Sequence, residues 1–357
     1  MTFPSSGALP PGLPSRPAVP AGIEIAGLSR WLRRRFPGEP GPLTTVRLLA
    51  GGRSNLTYLL GWGERLLVLR RPPLGHVLAT AHDMAREFRA LTALGPTDVP
   101  VPRTYGLCAD PSVLGAPFYV MEWVEGRVLR TDGDLLTFTP KDAVRLTDAV
   151  AGTLAALHAV GPAAAGLAGF GRPEGFLERQ VRRWRRQMEA SGGAPPGADA
   201  LNDRLAATCP ASGAASIVHG DYKLDNLLLD PGDGGRIRAV LDWEMCTIGD
   251  PLADLGMLCM YWDGFAGVPR SPVASPGALP GWPGRDHLIE RYTALSAVRP
   301  ARLGWYTALA FYKIVAILRG IDHRRRQGLV VGDGFDGIAD AVPMLVERGH
   351  AALDELE

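Results

Sequence analysis

Lysine is almost absent from this chain. Its 357 residues carry 38 lysines and arginines together, and only three of them are lysines, at positions 141, 223 and 313. The first 140 residues hold none, so any cationic chemistry there falls to arginine. Net charge is also close to nil, at +1, so no global field draws the chain to nucleic acid or to a membrane surface. The four cysteines, Cys108, Cys209, Cys246 and Cys259, form no paired or metal-binding spacing. They fit a reduced, cytoplasmic setting in which each thiol is a small core residue. Long hydrophobic runs are missing too. The longest apolar stretches, 149–160 and 307–318, fall short of the roughly 20 residues that a bilayer requires, and Lys313 interrupts the second. No internal repeat is visible. Residues 1–22 are Pro, Gly, Ala and Ser with hardly a charge. They lack the cationic start and continuous apolar core of a signal peptide, and a disordered tail is expected.

The stretch that organises the rest is Ile217-Val218-His219-Gly220-Asp221-Tyr222-Lys223-Leu224-Asp225-Asn226, followed by the apolar run Leu227–Leu229. Pro231 to Gly235 is dense turn chemistry, and Ile237 to Leu241 reads as a second strand. Two strands joined by so short a loop predict an antiparallel hairpin. Such a hairpin brings Asn226, before its first strand, beside Asp242, after its second. A carboxamide oxygen and a carboxylate then meet at one end, hard ligands that suit Mg2+. Five residues before Asn226, the same loop places Asp221 to accept a proton from a hydroxyl nucleophile. This is the layout of a phosphotransferase.

His-Gly-Asp, four residues, Asn, and an Asp after the next strand resembles the aminoglycoside phosphotransferase family, a branch of the protein-kinase-like fold. The closer resemblance is to a subgroup that also occurs as a kinase-like domain preceding acyl-CoA dehydrogenase domains. It rests on Gly-Gly-Arg-Ser-Asn-Leu-Thr-Tyr (51–58), Val-Leu-Arg-Arg-Pro-Pro (68–73) and Gly-Asp-Pro-Leu-Ala-Asp-Leu-Gly (249–256). The motifs run from about residue 45 to 262, and the likeness continues more loosely to the end. The resemblance implies an α+β fold of two lobes. Residues 23–124 would form a small, mainly antiparallel β lobe with one key helix, and 125–357 a larger, mostly helical lobe.

Along the first lobe, Leu28–Phe36 reads as a short helix, and Val46–Ala50 with Asn55–Leu60 as two strands around Gly51-Gly52-Arg53-Ser54. Glycines let a backbone approach phosphate closely. In the context of the resemblance, Gly51, Gly52, Ser54 and Asn55 become a phosphate cradle. Alternation along Arg65–Arg70 puts Leu66, Val68 and Arg70 on one face. The family pattern would have Val68 cover an adenine and Arg70 reach the phosphates, in place of the usual lysine, with Arg71 as a rival. Arginine grips phosphate bidentately but is not equivalent to lysine. Thr80–Leu94 predicts a helix with Thr80 and Asp83 as a capping box. Its Glu87 stands where the family pairs a glutamate with the phosphate-binding cation. Phe118–Val124 reads as a strand at the family's hinge, whose backbone from Glu122 to Val124 would bond the adenine edge.

Past the hinge, Thr139 caps a helix with Pro140 at its first position, and Val144, Thr147, Ala151, Leu154 and His158 mark its stripe. Residues 173–190 form another, with Leu177, Val181, Trp184 and Met188 inward and five arginines on its other sides. Residues 191–200 read as a loop. Asp250 is expected to cap a helix starting at Pro251, and by the resemblance Asp254 braces the catalytic loop. Trp262–Gly284, rich in Pro and Gly without periodicity, is expected to be a substrate-side lid. Helices are expected near 286–297, 301–321 and 334–355.

The resemblance thus implies an ATP- and Mg2+-dependent transfer to a small-molecule hydroxyl. ATP would lie between the lobes, Asn226 and Asp242 would hold the metal, and Asp221 would be the base. Lys223, at the offset where protein kinases keep a lysine, would offset charge on the transferring group, and His219 would brace the loop. Glu244 is either a partner to the metal site or a surface charge. A hydroxyacyl-CoA-like metabolite, an aminoglycoside and a choline-type alcohol are the acceptors to weigh. The arginine clusters favour the first, because a polycationic antibiotic wants carboxylates. A non-catalytic nucleotide-binding module is the reading from a different class. Protein-kinase activity is disfavoured by the missing Asp-Phe-Gly and Ala-Pro-Glu signatures.

Overall fold

Strict alternation along the first strands sorts their side chains onto two faces, and each face has its own helix. In the computed structural model, which describes residues 20–38, 41–49, 55–74, 83–268, 271, 273–327 and 338–355, β1 (Leu43–Leu48), β2 (Leu56–Trp62), β3 (Arg65–Arg71), β4 (Thr104–Cys108) and β5 (Phe118–Glu122) form one antiparallel sheet in the order β1-β2-β3-β5-β4. Tyr58, Leu60, Trp62, Leu67, Leu69, Phe118 and Val120 share one core with Leu28 and Leu32 of α1 (Ile25–Arg35). Those two leucines are four residues apart and so lie on one helical face. Val68, Arg70, Tyr119 and Met121 occupy the alternate positions, and α2 (Met84–Leu94) packs on β4 and β5, with Phe88 and Tyr119 ring centroids 6.1 Å apart.

Several boundaries differ from expectation. The α2 helix begins at Met84, where the Asp83 carboxylate accepts from the Arg86 N–H at 2.9 Å, so Asp83 is the cap, and Thr80 lies outside the described residues. The expected tail is shorter at its end. The Ala21 carbonyl accepts from the Tyr58 hydroxyl at 2.7 Å and the Gly22 carbonyl from Arg71, which ties both residues to the sheet unit.

The chain divides into two compact units, one of residues up to Pro96 with Val101–Val124, the other of Thr97–Pro100 with Glu125–Glu357. The second holds α3 (Asp132–Leu135), α4 (Pro140–Ala159), α5 (Phe176–Ala190), α6 (Ala198–Ala207), α7 (Leu252–Asp263), α8 (Arg285–Leu295), α9 (Leu303–Arg326) and α10 (Val342–Asp354). It also holds two small antiparallel pairs, β6 (Ser216–Val218) with β9 (Thr247–Gly249), and β7 (Leu227–Leu229) with β8 (Ile237–Val240). The long α9 packs against α5, α6, α7 and α10 and is buried for most of its length.

On α4, Thr139 caps and Pro140 stands first as expected, but Val144 is exposed. Thr147, Ala151, Leu154 and His158 are buried as expected, and Ala143, Leu146 and Val150 join them in a wider stripe than the one read from a single row of residues. The α5 helix starts at Phe176, with Leu177, Val181, Trp184 and Met188 buried as expected. Residues 191–200 are not loop throughout, because α6 opens at Ala198 after Gly197 in a left-handed conformation. The helix expected from Pro251 begins at Leu252, where the Asp250 carboxylate accepts from the Leu252 N–H at 3.0 Å.

Helices α7 and α9 approach each other closely at Gly256 of α7. A Cβ there would meet the Tyr306 carbonyl carbon at 2.5 Å and the Thr307 nitrogen at 2.8 Å, both backbone atoms of α9. Gly256→Ala is therefore expected to destabilise the protein by about 1–3 kcal/mol despite the better helix propensity of alanine. Urea unfolding of the two proteins checks this.

Candidate active site

The loop after β6 takes its shape from a buried carboxylate. Asp254, one turn into α7 and 1% exposed, accepts from the His219 N–H at 2.6 Å on one oxygen and from the Gly220 N–H at 2.8 Å on the other. His158 of α4 adds a contact to the first oxygen at 3.4 Å, and its other ring nitrogen meets the Tyr292 hydroxyl at 2.7 Å. Burial pushes the Asp254 carboxyl up; the hydrogen bond and charge of His158, with the Gly220 N–H, outweigh this and leave it below its ordinary range. Gly220 sits at φ +84°, and a Cβ there would meet the Met245 carbonyl oxygen at 2.7 Å, so the loop tolerates only glycine at this point.

Both ring nitrogens of His219 are engaged. Nε2 meets the Leu241 carbonyl at 2.9 Å, and the Asp221 N–H points at Nδ1 at 3.2 Å. A carbonyl can only accept and an N–H can only donate, so the ring is the Nε2–H tautomer, wedged 4.7 Å from the Trp243 ring. His219 ties the loop to the β8 end through both ring nitrogens.

Asp221 is a fifth exposed, with Lys223 Nζ 2.9 Å from one carboxylate oxygen. The Asn226 amide donates to that same oxygen at 3.2 Å and to the Asp221 carbonyl at 2.8 Å. The other oxygen accepts from the Tyr261 hydroxyl at 3.1 Å. Burial alone would raise the Asp221 carboxyl, and Lys223 and Lys313 hold it below the usual range instead. Burial would likewise lower Lys223, but Tyr261 and Asp221 raise it above its ordinary value, so an ammonium faces a carboxylate. The Lys223 Nζ also lies 4.9 Å from the Tyr261 ring centroid.

The β7–β8 pairing sets Leu227 opposite Val240, and the Leu241 N–H donates to the Asn226 carbonyl at 2.8 Å. Asn226 and Asp242 are thereby adjacent at one end of the hairpin. The Asn226 NH2 is turned to Asp221, which leaves its oxygen directed elsewhere, and Asp242 holds a left-handed backbone at φ 64°. Non-glycine residues in that region gather at functional sites. A carboxamide oxygen beside a carboxylate is a donor set that fits a hard divalent cation. Glu244 is half-buried on the short turn after Asp242.

In the sheet unit, Arg70 lies 3.3 Å from Glu87 of α2, and both are buried. Arg71 points to the opposite face, where its guanidinium donates to the Leu114 carbonyl at 2.8 Å and to the Gly22 carbonyl. The rival arginine thus has a structural task. Val68 is buried on the Arg70 face, and Asn55 is buried just before β2. Within the Glu122–Val124 backbone, the Glu122 N–H donates to the Arg103 carbonyl at 2.8 Å, and Val124 is half-buried. Gly51, Gly52 and Ser54 lie outside the described residues.

Sequence reading missed Tyr261 and Lys313. Tyr261 follows Asp254 by seven residues on α7, two turns on the same face, which was the available signal. The expected lid is a pinned wall over its described residues. Trp282 packs 6.3 Å from Trp262 and 5.5 Å from Phe138, Trp262 donates to the Pro283 carbonyl at 2.9 Å, and the Ser275 N–H donates to Asp132 at 3.1 Å. Together with Lys223, Leu224, Leu258 and Tyr261, its residues Val273 and Ala274 line a crevice next to Asp221.

A five-stranded antiparallel sheet with one helix on each face, followed by a helical unit that carries a His-Gly-Asp loop, is the protein-kinase-like fold. Residues 45–287 match the phosphotransferase enzyme family, and the chain belongs to that family. A crystal structure of a candidate aminoglycoside phosphotransferase from Ralstonia eutropha superposes with a TM-score of 0.80 at 32% identity, covering 94% of this chain and 99% of that one. The aminoglycoside phosphotransferase APH(4)-Ia, solved with AMP-PNP and hygromycin B, superposes with a TM-score of 0.57 at 18% identity over 92% of this chain and 98% of that one, a likeness of fold. Acyl-CoA dehydrogenase family member 11 of Rattus norvegicus is 33% identical over 339 residues, covering 92% of this chain but 43% of that protein. The chain therefore spans less than half of that relative. No helix among the described residues is long and apolar enough to cross a membrane.

Removing the Asp254 carboxylate strands two buried N–H groups. At about 1–3 kcal/mol each, Asp254→Ala is expected to cost about 2–5 kcal/mol by urea unfolding at neutral pH. A depressed carboxyl stabilises the fold above its unfolded pKa of about 3.9, and that contribution is lost as pH falls through the lower folded value. The wild type should therefore lose stability on acidification below about pH 4 more steeply than Asp254→Asn does, and equal slopes would remove the linkage.

Proposed function

We propose that this chain is an ATP-dependent O-phosphotransferase acting on a small-molecule hydroxyl. The observation that carries the reading is the Asp221 carboxylate, kept ionised at 2.9 Å from Lys223 and oriented by Asn226 and Tyr261. Asp221 takes the proton of the acceptor hydroxyl as its oxygen forms a bond to the γ-phosphorus. The bond from that phosphorus to the bridging oxygen breaks, and ADP leaves with the electron pair. Lys223, the cation nearest the base, offsets charge on the transferring group. Asn226 and Asp242 would hold Mg2+, which supplies charge neutralisation on the phosphate oxygens. Arg70, held by Glu87, would contact the inner phosphates, with Asn55, Val68 and the Val124 backbone as further nucleotide contacts. Such catalysis is positioning and electrostatics, for which these groups are suited. The crystallisation of APH(4)-Ia with AMP-PNP supports the choice of an adenine nucleotide.

For the acceptor we propose a hydroxyacyl-CoA-like metabolite. The crevice beside Asp221 is walled by Leu224, Leu258, Trp262 and Val273 with Lys223 at its edge, and Asp225 is the one carboxylate on its lining. Apolar walls and a cation suit an anionic acceptor with a hydrocarbon part and do not suit a polycation. The acyl-CoA dehydrogenase name of the rat relative supports the same direction.

Mg2+-dependent ADP release is the measurement, against panels of hydroxyacyl-CoAs, aminoglycosides and choline-type alcohols. Turnover is expected on the first panel. Asp221→Asn should lower it by about 10²–10⁴-fold and Asp242→Ala should abolish it, each with the fold intact. Turnover on another panel would replace the acceptor. Silence on all three with ATP still bound would favour a non-catalytic nucleotide-binding module.

A further inference from the structure

Of the three lysines, Lys313 is the one that is buried. It sits midway along α9, 7% exposed, in a helix otherwise buried through Trp305–Ala316 by apolar residues and Thr307. Lysine is almost never buried without a reason, because desolvating an ammonium is costly. Here Nζ donates to the Gly220 carbonyl, the peptide unit that leads into Asp221. The ammonium also lies 5.4 Å from the ring centroid of Trp184, itself 2% exposed on α5. The charged groups that face it are Asp221 and Lys223 from the loop, Asp254 from α7 and Arg183 from α5.

We infer that Lys313 is a positioning residue for phosphoryl transfer, clamping the Gly220 carbonyl so that Asp221 is aimed, and remaining as its fixed cation when Lys223 turns to the transferring group. This rests on the reading of Asp221 as the base. The two lysines differ in freedom. Lys223 is on a loop and a fifth exposed, so it can exchange the carboxylate for a phosphoryl oxygen. Lys313 is enclosed by Trp184, the loop backbone and its own helix, and cannot follow. Burial pushes Lys313 itself down to about 8, with Asp221 and Asp254 resisting, so it is still largely cationic at neutral pH.

Two variants separate clamp from charge. Lys313→Gln keeps a donor for the Gly220 carbonyl without the charge, and Lys313→Met keeps neither. Lys313→Met is expected to lower kcat by about 10–100-fold with the KM for ATP within about twofold. Lys313→Gln, which keeps the donor, should lose less of kcat, a kcat-against-KM pattern that a purely structural lysine would not produce. If either variant fails to fold, the wild-type ammonium is read directly, since a chain with three lysines yields three 15Nζ signals in NMR. Lys313 should titrate near about 8 and fall further in Asp221→Asn. Unchanged kcat in the variants, or an ordinary lysine value near 10.4 indifferent to Asp221→Asn, overturns the inference. Turnover retained in Asp221→Asn would instead overturn the base itself. An inactive Asp221→Asn beside a normal Lys313→Met would remove the role of Lys313 alone.

Discussion

A single buried carboxylate holds the His-Gly-Asp loop in place. Asp254 is out of contact with water, so its charge is supportable only where donors converge on it, and the His219 and Gly220 N–H groups and His158 do so. Those bonds join α7, α4 and the loop after β6. The direction of Asp221 follows from them, because a loop residue can be aimed only if the backbone before it is immobile. His219 extends the same brace across to Leu241. The end of the hairpin with Asn226 and Asp242 is thus referenced to the same carboxylate as Asp221.

Scarcity of lysine sharpens the division of labour among the cations. In the sheet unit, Arg70 and Arg71 are neighbours in sequence and opposite in task, because successive residues of a strand face opposite ways. Arg70 meets Glu87, and Arg71 closes hydrogen bonds to the Leu114 and Gly22 carbonyls. In the helical unit the lysines are divided by burial. Lys223 is loop-borne and partly exposed, a compact charge on a flexible stem, while Lys313 is locked in α9.

The wall formed by Val273 and Ala274 belongs to the same economy of fixed parts. It is held by indole and backbone hydrogen bonds, Trp262 to the Pro283 carbonyl and the Ser275 N–H to Asp132.

How much of this was legible beforehand depended on whether the physics was local. The β7–β8 hairpin, the Thr139 cap, the inward stripe of α5 and the antiparallel strands were readable, because turn chemistry and periodicity act over a few residues. The spacing from His219 to Asn226 and on to Asp242 was readable for the same reason. Boundaries at α2 and α6 were less so, since Asp83 and the left-handed Gly197 compete with neighbours that could equally start a helix. Whether the Trp262–Gly284 segment is lid or wall could not be read, for tryptophan burial depends on what it meets. The sequence by itself determined which residues could do chemistry and the local order in which they are presented. Only the tertiary structure decided that Tyr261 reaches Asp221, that Lys313 reaches the Gly220 carbonyl across 93 positions, and that Arg71 turns away while Arg70 meets Glu87. Contacts at such separations are set by how helices and strands pack, and packing is a property of the whole core.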